Sequence, residues 1–429
     1  MKQKNILPII VMMFLFGMIA FVTNLASPMG DILKYQFQVA NWMGTLGVFA
    51  NFIAYAIMGI PAGSMLEKYG YKKTALAAVA VGFVGVGIQT LSGYVGSFGI
   101  YLLGAFVAGF SMCMLNVVVN PMLNKLGGGG NTGNQLVQIG GSFNSLCGTA
   151  VIILTGLLIP SIAKSQISDV FPLMYAALAI FAFAFLVIYT ATIPENAPVA
   201  AKQEEKSAYG PLSFRHFILG SIAIFVYVGI EVGIPNVLNK WLQNPSLNLL
   251  GEGVNAEAVA ASVAGTYWFL MLIGRLIGGL VGSKVSAKAM LTTVSTVGLL
   301  LVLGAIFLPV TNMVNLPVFK GAEGFGLVNV PINAALLVFT GLCTSVMWGG
   351  IFNLAVEGLG KFTEKASGIF MALVCGGGIL PLLQNVIVDK VNGGVGYQPS
   401  YWVIVVGLVY MLFYALVGSK NVNKDIPTE

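Results

Sequence analysis

The chain has 429 residues, 57% of them hydrophobic and 8% charged: 21 Lys and Arg, 15 Asp and Glu, and a single His. Soluble globular proteins are about 45–50% apolar, so this composition, with a mean hydropathy of +0.89, excludes a soluble globule. The net charge of +6 would point to nucleic acid in a soluble chain; here the placement of the basic residues accounts for it, and nucleic-acid binding is excluded.

In chain order, apolar segments are read at roughly 6–33, 42–66, 72–94, 97–124, 134–160, 170–194, 215–241, 258–283, 289–310, 331–357, 367–389 and 400–419. A spanning helix needs roughly 20 apolar residues, and the runs are too long and continuous for barrel strands. Backbone exposed to lipid must satisfy its own hydrogen bonds, so the expected fold is an all-α membrane protein of twelve transmembrane helices. The first segment follows Lys2 and Lys4. It is longer than a signal peptide's apolar core and lacks a small-x-small cleavage site, so it is read as the first span, uncleaved.

Between the second and third segments the chain reads Gly63-Ser64-Met65-Leu66-Glu67-Lys68-Tyr69-Gly70-Tyr71-Lys72-Lys73. Gly63 lets two helix ends approach and Gly70 permits a tight turn. Glu67, beside Lys68, Lys72 and Lys73, can meet cationic or helix-end partners that part when packed bodies rock. This stretch is expected to act as a conformational gate. The matching place in the second half holds Gly274, Arg275, Gly278, Gly282, Lys284 and Lys288 without an acid. Its glycines form a small-xxx-small contact series, and Arg275, near a helix end, is assigned to the same gate.

The stretch from Pro194 to Ser213, rich in charge and proline, is read as a linker. It divides the chain into a six-helix bundle at 1–197, a linker at 198–213 and a second six-helix bundle at 214–429, the repeat plan of many transporters. Fifteen Lys and Arg fall in the gaps on the linker's side of this zigzag and five on the other, with Arg275 left over. Basic excess marks the cytoplasmic side, so both termini are expected there.

Catalytic and metal chemistry find no residues. Cys113, Cys147, Cys343 and Cys375 lie inside apolar segments without a CxxC and read as packing residues. His216 alone cannot build a zinc site or a histidine triad. The Gly127–Gly130 run lacks the lysine of a phosphate loop. No cofactor, no metal and no enzymatic activity are expected.

Polar side chains within spans are costly and face cavities. They are Asn24, Asn51, Asn116, Asn120, Gln138, Asn144, Glu231, Asn236, Asn239, Asn353 and Gln384. Glu231, 16 residues past Arg215, is the deepest acid and reads as a reversible proton or cation site. No mid-span Arg or Lys is read. An anionic substrate normally requires such a cation, so it is disfavoured.

The 63–73 stretch resembles the major facilitator superfamily signature G-x-x-x-D/E-R/K-x-G-x-R/K-R/K. Further stretches resemble its fucose–galactose–glucose symporter branch: Asn116-Val117-Val118-Val119-Asn120-Pro121 against E/Q-x-A-A-N-P, Phe143-Asn144-Ser145 against F-N-S, Gly274-Arg275, Gly376-Gly377-Gly378-Ile379, and Asp31-Ile32-Leu33 before Gln36-Phe37. Three departures stand out. The family's helix-four glutamate or glutamine is Asn116, which cannot carry a proton. The glutamine before F-N-S is Gly141. The family's helix-one acid falls on Asp31 or, in a gap-free alignment, on Ser27.

The resemblance implies a bacterial inner-membrane transporter for a neutral monosaccharide or amino sugar, working as a monomer by alternating access and driven by H⁺ or Na⁺. Amides, which donate and accept together, suit a sugar's neighbouring hydroxyls. The substrate set is Asn24, Asn116, Asn120, Gln138, Asn144, Glu231, Asn236, Trp348 and Asn353, with Trp348 offering an aromatic face. Glu231 and Asp31 are the ion-coupling candidates. An uncoupled facilitator, a non-sugar exporter and a transporter-like sensor are the alternatives.

The charge bias makes a topology prediction. Cysteines placed at Lys68, Lys125, Glu204 and Lys361 will be labelled by membrane-impermeant maleimide only from the cytoplasm, and those at Lys34, Lys164 and Lys320 only from outside. Reversal at two sites defeats the assignment.

Overall fold

The computed structural model describes residues 6–36, 46–158, 166–194, 209–320, 324–391 and 395–428. Among the described residues, ten helical stretches are long and apolar enough to cross a membrane. One of them, Leu46–Val95, holds two spans: its helix breaks at Gly70, where φ is 80°, a left-handed conformation that glycine adopts without a Cβ clash. Gly130–Leu158 is the remaining span.

The first span is Ile6–Gln36, and the second and third lie either side of Gly70. The fourth is Phe98–Leu126, the fifth Gly130–Leu158 and the sixth Phe171–Thr190. The seventh is Arg215–Gln243, the eighth Ala256–Val281 and the ninth Ala287–Phe307. The tenth is split into Ile332–Thr344 and Met347–Val356. The eleventh is split into Thr363–Ala372 and Gly376–Lys390 by a tight turn at Leu373–Cys375. The twelfth is built on Trp402–Phe413.

The spans form two six-helix bundles. The first packs on the fifth and fourth, and the seventh on the eleventh and eighth. Between the halves the second span meets the eleventh and the fifth meets the eighth. Adding six to each number exchanges these two seams, as an internal repeat requires.

One element was not foreseen. The connection 308–331 carries an antiparallel hairpin, β1 Met313–Phe319 and β2 Phe325–Pro331. Its valines and phenylalanines suit a pleated surface. It stands on the face opposite Gly70.

The hydrogen bonds that join the halves gather at the central cavity and on the face of Gly70. Tyr71 Oη donates to Glu364 Oε1 at 3.3 Å, Asn124 Nδ2 to Asn353 Oδ1 at 2.7 Å, and Gln135 Nε2 to the Gly279 carbonyl at 3.0 Å. Pro121 has no N–H to offer the carbonyl four residues earlier, and Ser367 Oγ supplies that carbonyl, Val117 O, with a donor at 3.2 Å. Of the expected gate residues, Gly70 makes the turn between the second and third spans, and Gly63 lies within the second span, against Gly368 of the eleventh. Lys72 Nζ binds the Ala191 carbonyl at 2.9 Å, and Lys68 and Lys73 are exposed. Glu67 is exposed on the solvent side of the second span, and among the described residues no ion pair reaches it. Tyr71, four residues on, makes the crossing instead.

The seam between the second and eleventh spans leaves no room for side chains. A Cβ on Gly63 would stand 2.8 Å from Gly368 Cα, and one on Gly368 would stand 2.5 Å from both the Gly59 carbonyl oxygen and Gly63 Cα. Gly368→Val should therefore hold this face apart. Spin labels at Lys68 and Lys361 should separate by about 5 Å or more, the scale on which packed elements step between discrete arrangements. An unchanged distance distribution means the seam does not close this face.

Candidate functional site

Between the halves lies a cavity of about 230 Å³. The first half contributes Asn24, Asn51, Tyr55, Asn116, Gln138, Gly141, Asn144 and Ser145, and the second contributes Val228, Glu231, Trp268, Met271, Arg275, Ser345, Trp348 and Val374. Most of the wall is apolar or aromatic, with convergent polar groups, as small-molecule sites commonly are.

The second half brings a charge. Arg275, six residues before the end of the eighth span, turns into the cavity and pairs with Glu231 of the seventh, Nη2 to Oε1 at 3.1 Å. Its Nε donates to the Ser345 carbonyl and its Nη1 to the Gly141 carbonyl, both at 3.3 Å, and Nη1 also reaches Ser145 Oγ. The expectation that no buried cation stands at mid-span, and that Arg275 belongs to a peripheral gate, is thus corrected. Its long stem carries the charge inward from a position that the sequence shows only as near a helix end. Gly141, where the resembling family has glutamine, leaves space for it: a Cβ there would lie 3.6 Å from Arg275 Cδ, so a longer side chain would compete with the guanidinium.

Broken helices supply acceptors. The tenth span is interrupted between Thr344 and Met347, exposing the Ser345 carbonyl. Arg275 takes it, and Gln138 Nε2 donates at 2.8 Å to the Val346 carbonyl, which also accepts from the Gly350 amide at 3.2 Å. Irregular backbone inside a membrane is tolerated where it lines a cavity.

The amides are largely spoken for by the protein. Asn116 lines the cavity, but its Nδ2 donates to Tyr55 Oη at 2.9 Å and to the Met112 carbonyl at 3.1 Å. Asn120 lies behind it, fully buried, donating to Asn116 O and Oδ1 at 2.9 and 3.3 Å while accepting from Trp348 Nε1 at 3.0 Å. Tyr55, Asn116, Asn120 and Trp348 thus form a chain across both halves. Asn144 Nδ2 donates to the Phe16 carbonyl at 2.7 Å and Asn24 Nδ2 to the Ala20 carbonyl at 2.8 Å, which leaves their carbonyl oxygens as acceptors at the wall.

Three expected site residues stand outside the lining: Asn120, behind Asn116, together with Asn236 and Asn353. Asn236 accepts from Asn385 at 3.2 Å, and Asn353 binds Asn124 on the Gly70 face. Each is further along its helix than the cavity reaches. Asp31 falls in the first span, but its side chain, like that of Ser27, lies outside the described residues. Tyr55, Met271 and the split of the tenth span were missed. Tyr55 follows Asn51 by four residues and so shares its helix face, a signal the sequence did contain.

Because the Arg275–Glu231 pair is only 12% and 13% exposed, removing one partner strands the other. Arg275→Met should destabilise the protein by on the order of 3 kcal/mol, less where cavity water reaches Glu231. Arg275→Met combined with Glu231→Gln should recover most of that loss in a thermal-unfolding double-mutant cycle. Additive losses would mean the pair contributes no coupling.

The Major Facilitator Superfamily model matches residues 9–381. Among curated proteins, the glucose/galactose transporter of Brucella abortus is 28% identical over 95% of this chain and 93% of its own length. The L-fucose-proton symporter of Escherichia coli is 22% identical over 90% and 88%. Among solved structures, a Major Facilitator Superfamily transporter, FucP, in the outward conformation matches with a TM-score of 0.79 at 18% identity, over 98% of this chain and 100% of that one. Two six-helix bundles around one central cavity, and a family match over most of the chain, agree: this integral membrane protein belongs to the Major Facilitator Superfamily, a class of transporters and not of enzymes.

Proposed function

We propose that the protein carries a neutral monosaccharide, of the glucose, galactose or fucose kind or an amino sugar, across the bacterial inner membrane by alternating access, as a monomer with both termini in the cytoplasm. One observation carries this reading: the cavity's single visible charge pair, Arg275–Glu231, is internally neutralised at 3.1 Å, and the rest of its polar wall is amide, hydroxyl and carbonyl. Such a site offers hydroxyl groups both donors and acceptors and gives a free anion no unpaired cation. Trp348, pinned by Asn120, presents a fixed ring for a sugar's C–H face. Sugar relatives by name, the Brucella and Escherichia proteins, support the substrate class.

In this reading the contacts on the Gly70 face close the cytoplasmic side, and the cavity loads from outside. The halves rock about the paired seams, with the linker at 198–213 joining them. Import is coupled to H⁺ or Na⁺ through Glu231, the acid of the cavity wall, with Arg275 as its exchange partner: when the ion occupies Glu231, the guanidinium is left to its other partners, Gly141 and Ser145 of the fifth span and Ser345 of the tenth.

Uptake into proteoliposomes, with proton and sodium gradients applied separately, tests this. Glu231→Gln keeps the hydrogen bond to Arg275 but removes the exchangeable charge. It should lose accumulation against a gradient while retaining sugar exchange, because exchange moves no net ion. Trp348→Ala should weaken sugar affinity about tenfold, near the 1–3 kcal/mol of a lost buried contact. Full accumulation by Glu231→Gln would leave an uncoupled or differently coupled carrier. No uptake of any hexose by the wild-type protein would overturn the substrate class.

A further inference from the structure

The two faces of the β1–β2 hairpin differ from those of a hairpin in water. Leu316, Val318 and Val330 are turned into the core. On the other face, Asn315 stands opposite Asn329 toward the base, then Pro317 opposite Leu327, and Phe319 opposite Phe325 at the tip. A sheet face turned to water carries polar side chains. Here the last two rungs are wholly apolar, with Phe325 65% and Leu327 69% exposed.

The neighbours of this apolar face point the same way. The Phe319 and Phe325 rings lie 5.0 and 5.3 Å from that of Phe269 in the eighth span, and the Phe319 amide donates to Thr266 Oγ1 at 2.8 Å. Phe269 shares a helical stripe with Leu276 and Leu280, 48% and 77% exposed, since steps of 7 and 11 residues return to one side of an α-helix. Exposed leucines along a spanning helix face acyl chains. The ninth span ends nearby in Phe307, whose ring meets Trp402 edge-on at 6.0 Å, an aromatic pair of the kind that marks a membrane–water boundary. The hairpin's apolar rungs are therefore continuous with the lipid-facing surface.

We propose that this hairpin is an interfacial anchor whose partner is the lipid of the leaflet on its own face. It lies along the boundary between headgroups and acyl chains. Phe325 and Leu327 enter the acyl region, while the Asn315–Asn329 rung and Lys320 at the tip stay among the headgroups. Hydrated headgroups also satisfy the unpaired strand edges, which hydrocarbon could not, and the long Lys320 stem lets its ammonium reach water. The anchor braces the eighth span from outside, opposite the face that turns Trp268, Met271 and Arg275 into the cavity.

Nitroxide labels at Asn315→Cys, Phe325→Cys, Leu327→Cys and Asn329→Cys in phosphatidylcholine proteoliposomes test it, with the wild-type chain and its four native cysteines as background. Labels at 325 and 327 should collide several-fold more often with oxygen than with a water-soluble nickel chelate, and labels at 315 and 329 the reverse. Phe325→Trp, a milder change, should be quenched by brominated lipid and shielded from iodide. Nickel access at 325 and 327 equal to that at 315 would place the hairpin in water. Exclusion of both oxygen and nickel, without quenching by brominated lipid, would mean a protein surface covers it. Either result overturns the proposal.

Discussion

A guanidinium inside a bilayer brings one charge and five N–H donors, and lipid offers neither counter-ion nor acceptor. Arg275 sets the terms for the middle of this protein because everything around it answers that demand. Glu231 supplies the opposite charge from the seventh span. The broken tenth span frees the Ser345 carbonyl, and the fifth span gives the Gly141 carbonyl and the Ser145 hydroxyl. Four helices from both halves are thus tied to one side chain.

That arrangement bears on how the halves can move. The four partners lie on three spans: the seventh and tenth belong with the eighth to one half, while the fifth belongs to the other. A rotation of the halves about the paired seams leaves the Arg275–Glu231 contact intact and stretches the bonds to Gly141 and Ser145. The glycine seam of Gly59, Gly63 and Gly368 has the opposite character: it contributes contact without polar bonds, so it can part and close without stranding a donor. Polar bonds between the halves sit both at the cavity and on the Gly70 face, where Tyr71–Glu364, Asn124–Asn353 and Gln135–Gly279 share the face with the glycine seam.

The amide chain from Tyr55 through Asn116 and Asn120 to Trp348 follows a related logic. In a low-dielectric interior an unpaired amide is costly, so each is held by a neighbouring group of the protein. What remains at the wall are acceptors, the carbonyl oxygens of Asn24 and Asn144, and a donor, the hydroxyl of Tyr55, which accepts from Asn116. A ligand that meets this wall must both donate and accept, as hydroxyl groups do. The aromatic face of Trp348 is fixed from the opposite half, which makes its position a property of the closed Gly70 face.

Much of this architecture was legible in the amino-acid order, because a bilayer permits few solutions. Hydrogen-bond saturation forces helices, segment length fixes their number, and Gly70 marks the turn between the second and third spans. The fourth and fifth spans announced their amides, and Asn24, Asn116, Gln138, Asn144, Glu231 and Trp348 do line the cavity. The rest depended on directions and partners that no local pattern encodes. Asn236 and Asn353 differ from the lining residues only by a turn or two of helix, enough to carry them off the cavity. Arg275 looked peripheral because sequence position locates a Cα and not the end of a flexible side chain. The break in the tenth span and the hairpin at 313–331 are stabilised by groups from other spans, Gln138 and Arg275 for one and Thr266 and Phe269 for the other. The sequence by itself determined that the chain crosses the membrane as helices with a polar interior. Which polar groups meet there was decided by tertiary packing, because each contact joins residues distant in the chain.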